Sequence, residues 1–347
     1  MKRALTLMLV LAVVAATAIA VGAATAAPAK KQDTNISGAG SSFVFPLVSK
    51  WIPALGSAYG YNVSYNPNGS GAGIAAITAR TVDFGASDAP LTPDQATACK
   101  GCVQVPWALS ATAIVYNLPN AGCTVRFTGV ILAKIYLGEI STWNDGAIKA
   151  INPKCALSST KITPVYRTGN SGTSYNLTDY LSAVSPTWKA KLGVGQSVQW
   201  PAGAGASGSS GVAGVISKTE GAIGYVDVAY ALANKIRFAS IRNASGKYAT
   251  PGLRGIQAAA ATLPKNLSGD GAFSIVNPKK GNPLAYPIST FTYVIVPTSS
   301  SKSAELRKMV YWAVTRGQTY GKPLLFQPLP LQVQAFAFKQ IKKIQAT

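Results

Sequence analysis

A chain of 347 residues, 48% of them hydrophobic, carries enough apolar mass for two ordinary domains and too much for a disordered protein. It contains no histidine, which excludes serine–histidine–acid triads, cysteine–histidine dyads and metal sites built on imidazole. Its 32 Lys and Arg against 11 Asp and Glu give a formal charge of +21, a field that gathers anions; the basic residues are scattered rather than interleaved with aromatics, so they read as a solvated cationic surface and not as a nucleic-acid interface.

The chain opens with Lys2 and Arg3 ahead of the apolar run ALTLMLVLAVVAATAIAVG, and small residues follow at Ala24, Thr25, Ala26 and Ala27. That is the layout of a secretory signal peptide over residues 1–26, cleaved after Ala26 or Ala29. The run is longer than a typical signal core, so an uncleaved anchor is the alternative reading. The absence of a cysteine near the cleavage region argues against a lipid anchor. No later apolar run is long enough to cross a bilayer, and an exported, soluble protein is expected.

SGAGSSFVFP (37–46) then reads as a tight glycine turn feeding a helix from Pro46 to Tyr59, with Leu47, Trp51, Leu55 and Tyr59 at four-residue spacing on one face. YNVSY (61–65) is a short strand. In NGSGAGIAAITA (68–79), Ser70 and Gly71 open an apolar helical run through Ile74 and Ile77. In VDFGASDAPL (82–91), Val82 to Ala86 is a short buried strand and Ser87 to Pro90 the turn at its carboxyl end, where open α/β sheets place ligands.

Export makes the four cysteines readable. Two local disulfides, Cys99–Cys102 within ACKGC and Cys123–Cys155, are the economical arrangement in an oxidising compartment. A four-cysteine zinc site or a redox-active CxxC is the sharper alternative, supported by neither spacing nor context.

ATAIVYN (111–117) is a further strand. In YRTGNSGTS (166–174) an arginine precedes Ser171, Gly172 and Thr173, which lead into a helix with Leu177, Tyr180, Leu181 and Val184 on one face. AGAGASGSSGVAG (202–214) has the composition of a linker, but VISKTEGAIGYVDVAYA follows at once, so a domain boundary and an internal loop both remain open. FTYVIVP (291–297) closes the strands and Ser303 to Thr315 forms a late helix. Alternation of this kind, with no internal repeat, is the mark of an α/β fold.

Three of these stretches place free backbone N–H groups and a hydroxyl at a helix start. Such a site binds anions, because the first helical turn has unsatisfied donors and carries the positive end of the helix dipole. Each alone is also ordinary capping chemistry. None is a dinucleotide fingerprint, no GxxxxGK[ST] loop occurs, and GNSGT lacks the second glycine of a G-x-S-x-G elbow.

With these segments in place, the sequence resembles the periplasmic phosphate-binding proteins of ABC-type phosphate transporters, the PstS family of type II solute-binding proteins. The likeness runs through GAGSSF, TVDFGASDAPL, IYLGEISTWND (135–145), YRTGNSGTS, WPAGAGASG, EGAIGYVDVAYA (220–231), YPISTFTYVI (286–295) and PLPLQVQ (328–334), most of the chain beyond the signal. It implies an α/β, two-lobed periplasmic-binding-protein (Venus-flytrap) fold with a hinge. Lobe 1 would comprise residues 33–108 with 288–347, lobe 2 residues 109–287, and the ligand would lie in the cleft. Matched motif by motif, Ser42 and Phe43 fall at the first anion-binding turn and Ser70 at the second. Asp88 becomes the cleft carboxylate, Arg167 the arginine, and Ser171, Gly172 and Thr173 the third turn. Where the family commonly has an acid two residues after the arginine, followed by glycine, this chain has Gly169 and Asn170, which leaves Arg167 without a local acidic partner.

The resemblance implies inorganic phosphate (HPO₄²⁻ or H₂PO₄⁻) as ligand, a membrane permease of an ABC transporter as partner, a monomer, and neither cofactor, metal nor enzymatic activity. Neutral donors from three helix starts and a forked guanidinium can satisfy a tetrahedral oxyanion without a metal. Asp88 then acts by exclusion: it accepts the proton that phosphate still carries at neutral pH, whereas sulfate has none to give. Rejection of an analogue lacking a needed hydrogen bond reaches about 10⁴- to 10⁵-fold. Without histidine, any pH dependence of affinity between about pH 5 and 8 is expected to follow the ligand's protonation, unless a protein group is perturbed into that window. An exported phosphate-ester hydrolase would need a nucleophile with a base, or metals; a wall-associated or anionic-polymer-binding protein would use the basic surface instead.

Overall fold

The computed structural model describes residues 34–279 and 281–346; the expected signal peptide, with its anchor alternative, lies outside the described residues. Strands β1 (Thr34–Gly40), β2 (Tyr61–Asn66) and β3 (Phe84–Ser87) are parallel and joined by helices α1 (Phe45–Tyr59) and α2 (Ser70–Thr78). Pro46 occupies the first turn of α1, Leu47, Trp51 and Leu55 are buried along one face, and Gly60 ends the helix in the left-handed conformation. Helix α3 (Pro93–Ala98), closed by a capping box of Thr92 and Gln95, leads into β4 (Cys102–Tyr116), which is buried along nearly its whole length.

The chain continues through β5 (Arg126–Phe127), α4 (Gly129–Tyr136), α5 (Gly146–Ile151), β6 (Thr163–Arg167), α6 (Gly172–Val184) and α7 (Pro186–Lys191). Then come β7 (Ala204–Ala206), α8 (Gly208–Lys218), β8 (Ala222–Asp227), α9 (Val228–Ala233), β9 (Arg237–Phe238), β10 (Ser240–Arg242), β11 (Tyr248–Ala249) and α10 (Leu253–Ala260). It returns along β12 (Ser289–Pro297) to α11 (Ser303–Val314) and α12 (Leu331–Ile341).

The main sheet has the order β2-β1-β3-β12-β4-β8-β6-β7, with β9 also paired to β4. β12 runs antiparallel to β3 and to the first part of β4, ending with Ser289 opposite Ala111. β8 takes over at the next residue, with Asp227 opposite Thr112. One long strand thus carries the sheet from the β2-β1-β3 group to the parallel β8-β6-β7 group. Each group has an aromatic centre: Trp51 packs edge-on against Trp107 and Trp312 in the first, and Trp200 contacts Tyr136, Trp188 and Tyr225 in the second.

Three readings from the sequence shift. The strand expected from Val82 begins at Phe84, because Asp83 is drawn aside to accept from Ser37 N at 2.7 Å and to pair with Lys302 at 2.9 Å. β4 starts well before the expected Ala111. Its Pro106, which has no N–H for the ladder, sits where the register against β12 slips between Thr292 and Tyr293. The linker-like segment 202–214 is no boundary, since it forms β7 and the opening of α8. The cysteines are paired as Cys99–Cys102 and Cys123–Cys155, with Cα separations of 5.6 and 5.3 Å. Among the described residues no group of His, Cys, Asp and Glu could hold a metal, and no helix is long and apolar enough to cross a membrane.

Candidate functional site

Asp88 lies just beyond the carboxyl end of β3 and is 2% exposed. Its role in the turn is taken by Ser87, whose Oγ accepts from Ala89 N at 3.1 Å and donates to Ala89 O at 2.6 Å. The Asp88 carboxylate is thereby released to face two hydroxyls: Ser41 Oγ donates to Oδ1, and Ser70 Oγ donates to Oδ2 at 3.3 Å. Ser41 reaches it because Gly40, at φ 136°, turns the chain where a Cβ would overlap Ala86 O. Ser41 Oγ also accepts from Phe43 N at 3.0 Å and Val44 N at 3.3 Å, closing the turn that precedes α1. The Phe43 amide therefore has an acceptor within the chain, and its ring is buried edge-on against Phe326.

Ser70 is the first residue of α2, and Ser171 is the N-cap of α6. These two helix starts meet. Gly71 N donates to Asn170 O at 3.0 Å, and a Cβ on Gly172 would stand 2.7 Å from Asp88 Cβ. Ser171 Oγ accepts from Ser174 N at 3.3 Å, leaving Gly172 and Thr173 as the first-turn residues whose N–H groups have no intrahelical acceptor. Thr173 Oγ1 is buried with no hydrogen-bond partner among the described residues.

Arg167 ends β6 and is 5% exposed. Its N–H donates to Tyr225 Oη at 3.0 Å, and that hydroxyl shares a 2.7 Å bond with Ser174 Oγ. Nη1 donates to Ser42 Oγ and Ser209 Oγ at 3.2 Å each, while Nε is buried without a partner among the described residues. Gly169, in the left-handed region at φ 73°, takes no part in holding it. The structure thus brings Ser70, Asp88, Gly172 and Ser41 into one cluster and Ser42, Arg167 and Ser209 into another, with Asp88 and Arg167 close enough to influence each other's charge.

Burial dominates the electrostatics. It pushes the Asp88 carboxyl from 3.8 up to about 7, outweighing the Ser41 hydrogen bond, the Arg167 charge and the Ser70 hydrogen bond, all of which pull it down. Burial likewise lowers Arg167 against the opposing pull of Tyr225, Asp88 and Tyr230. Asp227, fully buried and accepting from Ala229 N at 2.8 Å as cap of α9, is raised well above the carboxylate range by burial, with the Asp88 charge adding to it. The pH dependence expected from the ligand alone between about pH 5 and 8 excepts perturbed groups, and the buried Asp88 is such a group. The missing histidine does not matter once a buried acid is moved into that window.

Ser41, Ser209, Tyr225 and Asp227 were not singled out from the sequence. Ser41 and Ser42 are adjacent serines, and only the turn at Gly40 decides which of them meets the acid. Ser209 lay within the linker-like stretch, where a serine two residues ahead of Gly211 and an apolar run was the available sign of another helix start.

The PBP superfamily domain matches residues 23–316. The phosphate-binding protein PstS of Xylella fastidiosa (strain Temecula1) is 38% identical over 328 residues, covering 92% of this chain and 89% of that protein. Its counterpart in Pasteurella multocida is 37% identical over 321 residues, with 91% and 90% covered. Among solved structures, a phosphate-binding protein from Stenotrophomonas maltophilia superposes with a TM-score of 0.67 at 23% identity, over 87% of this chain and 92% of that one. That likeness fixes the fold as the two-lobed α/β fold of periplasmic binding proteins. Matched above 30% identity over nearly its whole length, the chain belongs to the PBP superfamily and, within it, to the PstS family of phosphate-binding proteins.

Proposed function

We propose that this protein captures inorganic phosphate in a buried cleft outside the cytoplasm and delivers it to the permease of an ABC transporter. The observation that carries this reading is a pair of buried donors, Arg167 Nε and Thr173 Oγ1, that have no acceptor among the described residues and belong to the segments that meet the buried Asp88. Burying an unpaired donor costs about 1–3 kcal/mol, a penalty that an incoming oxyanion removes. Ser171, Gly172 and Thr173 would supply hydroxyl and amide donors, Ser42 and Ser70, whose hydroxyl protons go to Ser209 and Asp88, would supply backbone N–H groups, Arg167 the charge, and Asp88 the acceptor for the ligand's remaining proton. The Phe43 amide would donate only after leaving Ser41 Oγ.

Residues 33–108 with 288–347 would form one lobe and 109–287 the other, with β4 and β12 as the strands that flex between them. The protein acts as a monomeric binding protein, not an enzyme, in keeping with its phosphate-binding relatives. A hydrolase reading finds no support in the serines: Ser41 accepts from two backbone N–H groups and donates to Asp88, and Ser42 is tied to Arg167.

Thermal melts with phosphate, with sulfate and with neither test the reading. Phosphate at 100 times its dissociation constant should add about 2.7 kcal/mol of stability and sulfate at the same concentration almost nothing. Equal shifts from both anions, or none from phosphate, would reject it.

A further inference from the structure

The guanidinium of Arg167 is held by neutral hydroxyls rather than by a carboxylate. The ion pairs recorded among the described residues are Lys191–Glu139 and Lys302–Asp83, and Arg167 is in neither. Its contacts on Nη1 are Ser42 Oγ, from the turn after β1, and Ser209 Oγ, from the first turn of α8, both at 3.2 Å. The two hydroxyls are 3.1 Å apart, and Ser209 N–H adds a 3.4 Å bond to Ser42 Oγ. Ser209 is fully buried.

Counting protons gives this ring a direction. Nη1 donates to both hydroxyls. Ser42 Oγ accepts from Nη1 and from Ser209 N–H, so both its lone pairs are occupied and its own proton must be given away. Ser209 Oγ can receive that proton on its second lone pair. The Ser209 proton is then left pointing out of the ring. Two hydroxyls thus fix the guanidinium in one orientation, leave its charge uncancelled, and end in an O–H donor.

We infer that Ser209 is a positioning and specificity-determining residue of the anion site, orienting Arg167 and Ser42 without offsetting the arginine's charge. The inference rests on the phosphate-binding reading. A carboxylate in the same place would orient the guanidinium equally well but would remove one unit of positive charge beside the ligand. The neutral ring therefore favours the doubly charged form of phosphate over the singly charged one. The other titratable groups near Arg167 are Asp88, after β3, Tyr225 on β8 and Tyr230 on α9; Asp227 and Tyr65 in turn feel the Asp88 charge.

Phosphate titration calorimetry on the full chain tests this with S209A, S209D, R167K and the S209A/R167K double variant, each checked for an unchanged unliganded melting temperature. S209A is expected to weaken phosphate roughly tenfold, the scale of one lost hydrogen bond to a charged group. In R167K, whose lysine cannot hold the same fork, S209A should lose most of that effect. S209D should bind more weakly at pH 8 than at pH 6 relative to wild type, because the monoanion is then preferred. An unchanged S209A affinity, an S209A effect that persists in full in R167K, or a wild-type pH profile in S209D would overturn the inference while leaving phosphate binding intact. Failure of the wild-type chain to bind phosphate would remove both.

Discussion

Asp88 shows how the surroundings of one side chain set the behaviour of a site. Its carboxyl titrates at about 7 in the folded chain, against 3.8 ordinarily. Between those values the folded state keeps a proton that the unfolded state has released. Stability attributable to Asp88 is therefore greatest at low pH, falls as pH rises from about 4 to 7, and stays low above that. The full gap corresponds to roughly 4 kcal/mol. Acidification also adds positive charge to a chain already at +21, which opposes the trend, so the clean measurement is a difference between variants. D88N should match wild type in urea unfolding near pH 4 and exceed it by several kcal/mol at pH 8; a pH-independent difference would contradict the raised pKa. On the proposed function the same proton governs selectivity. Ionised Asp88 accepts from phosphate and repels sulfate, whereas neutral Asp88 can donate to sulfate. Sulfate should compete better at pH 5 than at pH 8 in wild type, and D88N should flatten that dependence in competition titrations.

Among elements, the helix starts are what the sequence exposes most clearly, because glycine, hydroxyl and a following apolar period are local signals. The α2 and α6 starts were readable at Ser70 and Ser171 for that reason. Their mutual contact was not, since it depends on Gly71 and Asn170 meeting across ninety-odd residues of intervening chain. Gly172 is the tight point. G172A would drive a methyl against Asp88 and Ser70, so we expect phosphate affinity to fall at least tenfold with helix content unchanged, a penalty in line with about 1–3 kcal/mol for overpacking. Wild-type affinity in G172A, measured by calorimetry, would show that the two helix starts can separate freely. β4 was only half legible because Pro106 argues locally against a strand, and the register slip that accommodates it belongs to β12, far away in sequence.

For the whole molecule, the two disulfides close loops of very different length. In the chain-entropy account, removing Cys123–Cys155, 32 residues apart, should cost about 4 kcal/mol, and removing Cys99–Cys102, 3 apart, about 2 kcal/mol. Urea unfolding of C123S/C155S and C99S/C102S checks the order; a reversed order would contradict the loop-length account. The cationic surface and the buried site also separate at this scale. Exposed charges are screened within a Debye length of about 8 Å at physiological salt. Attraction of polyanions to the surface should therefore collapse with salt, while bonds inside a dry cleft depend on it far less.

The sequence by itself determined the α/β alternation, the pairing of four cysteines and the glycine–hydroxyl helix starts, because each is written in residue type and short spacing, and its motifs carried the family. Tertiary structure alone decided that Ser41 rather than Ser42 meets Asp88, that Ser209 joins Arg167, and that Asp88 titrates near neutrality. Those outcomes depend on desolvation and on contacts between segments more than forty residues apart, and neither burial nor long-range proximity is encoded in any local pattern.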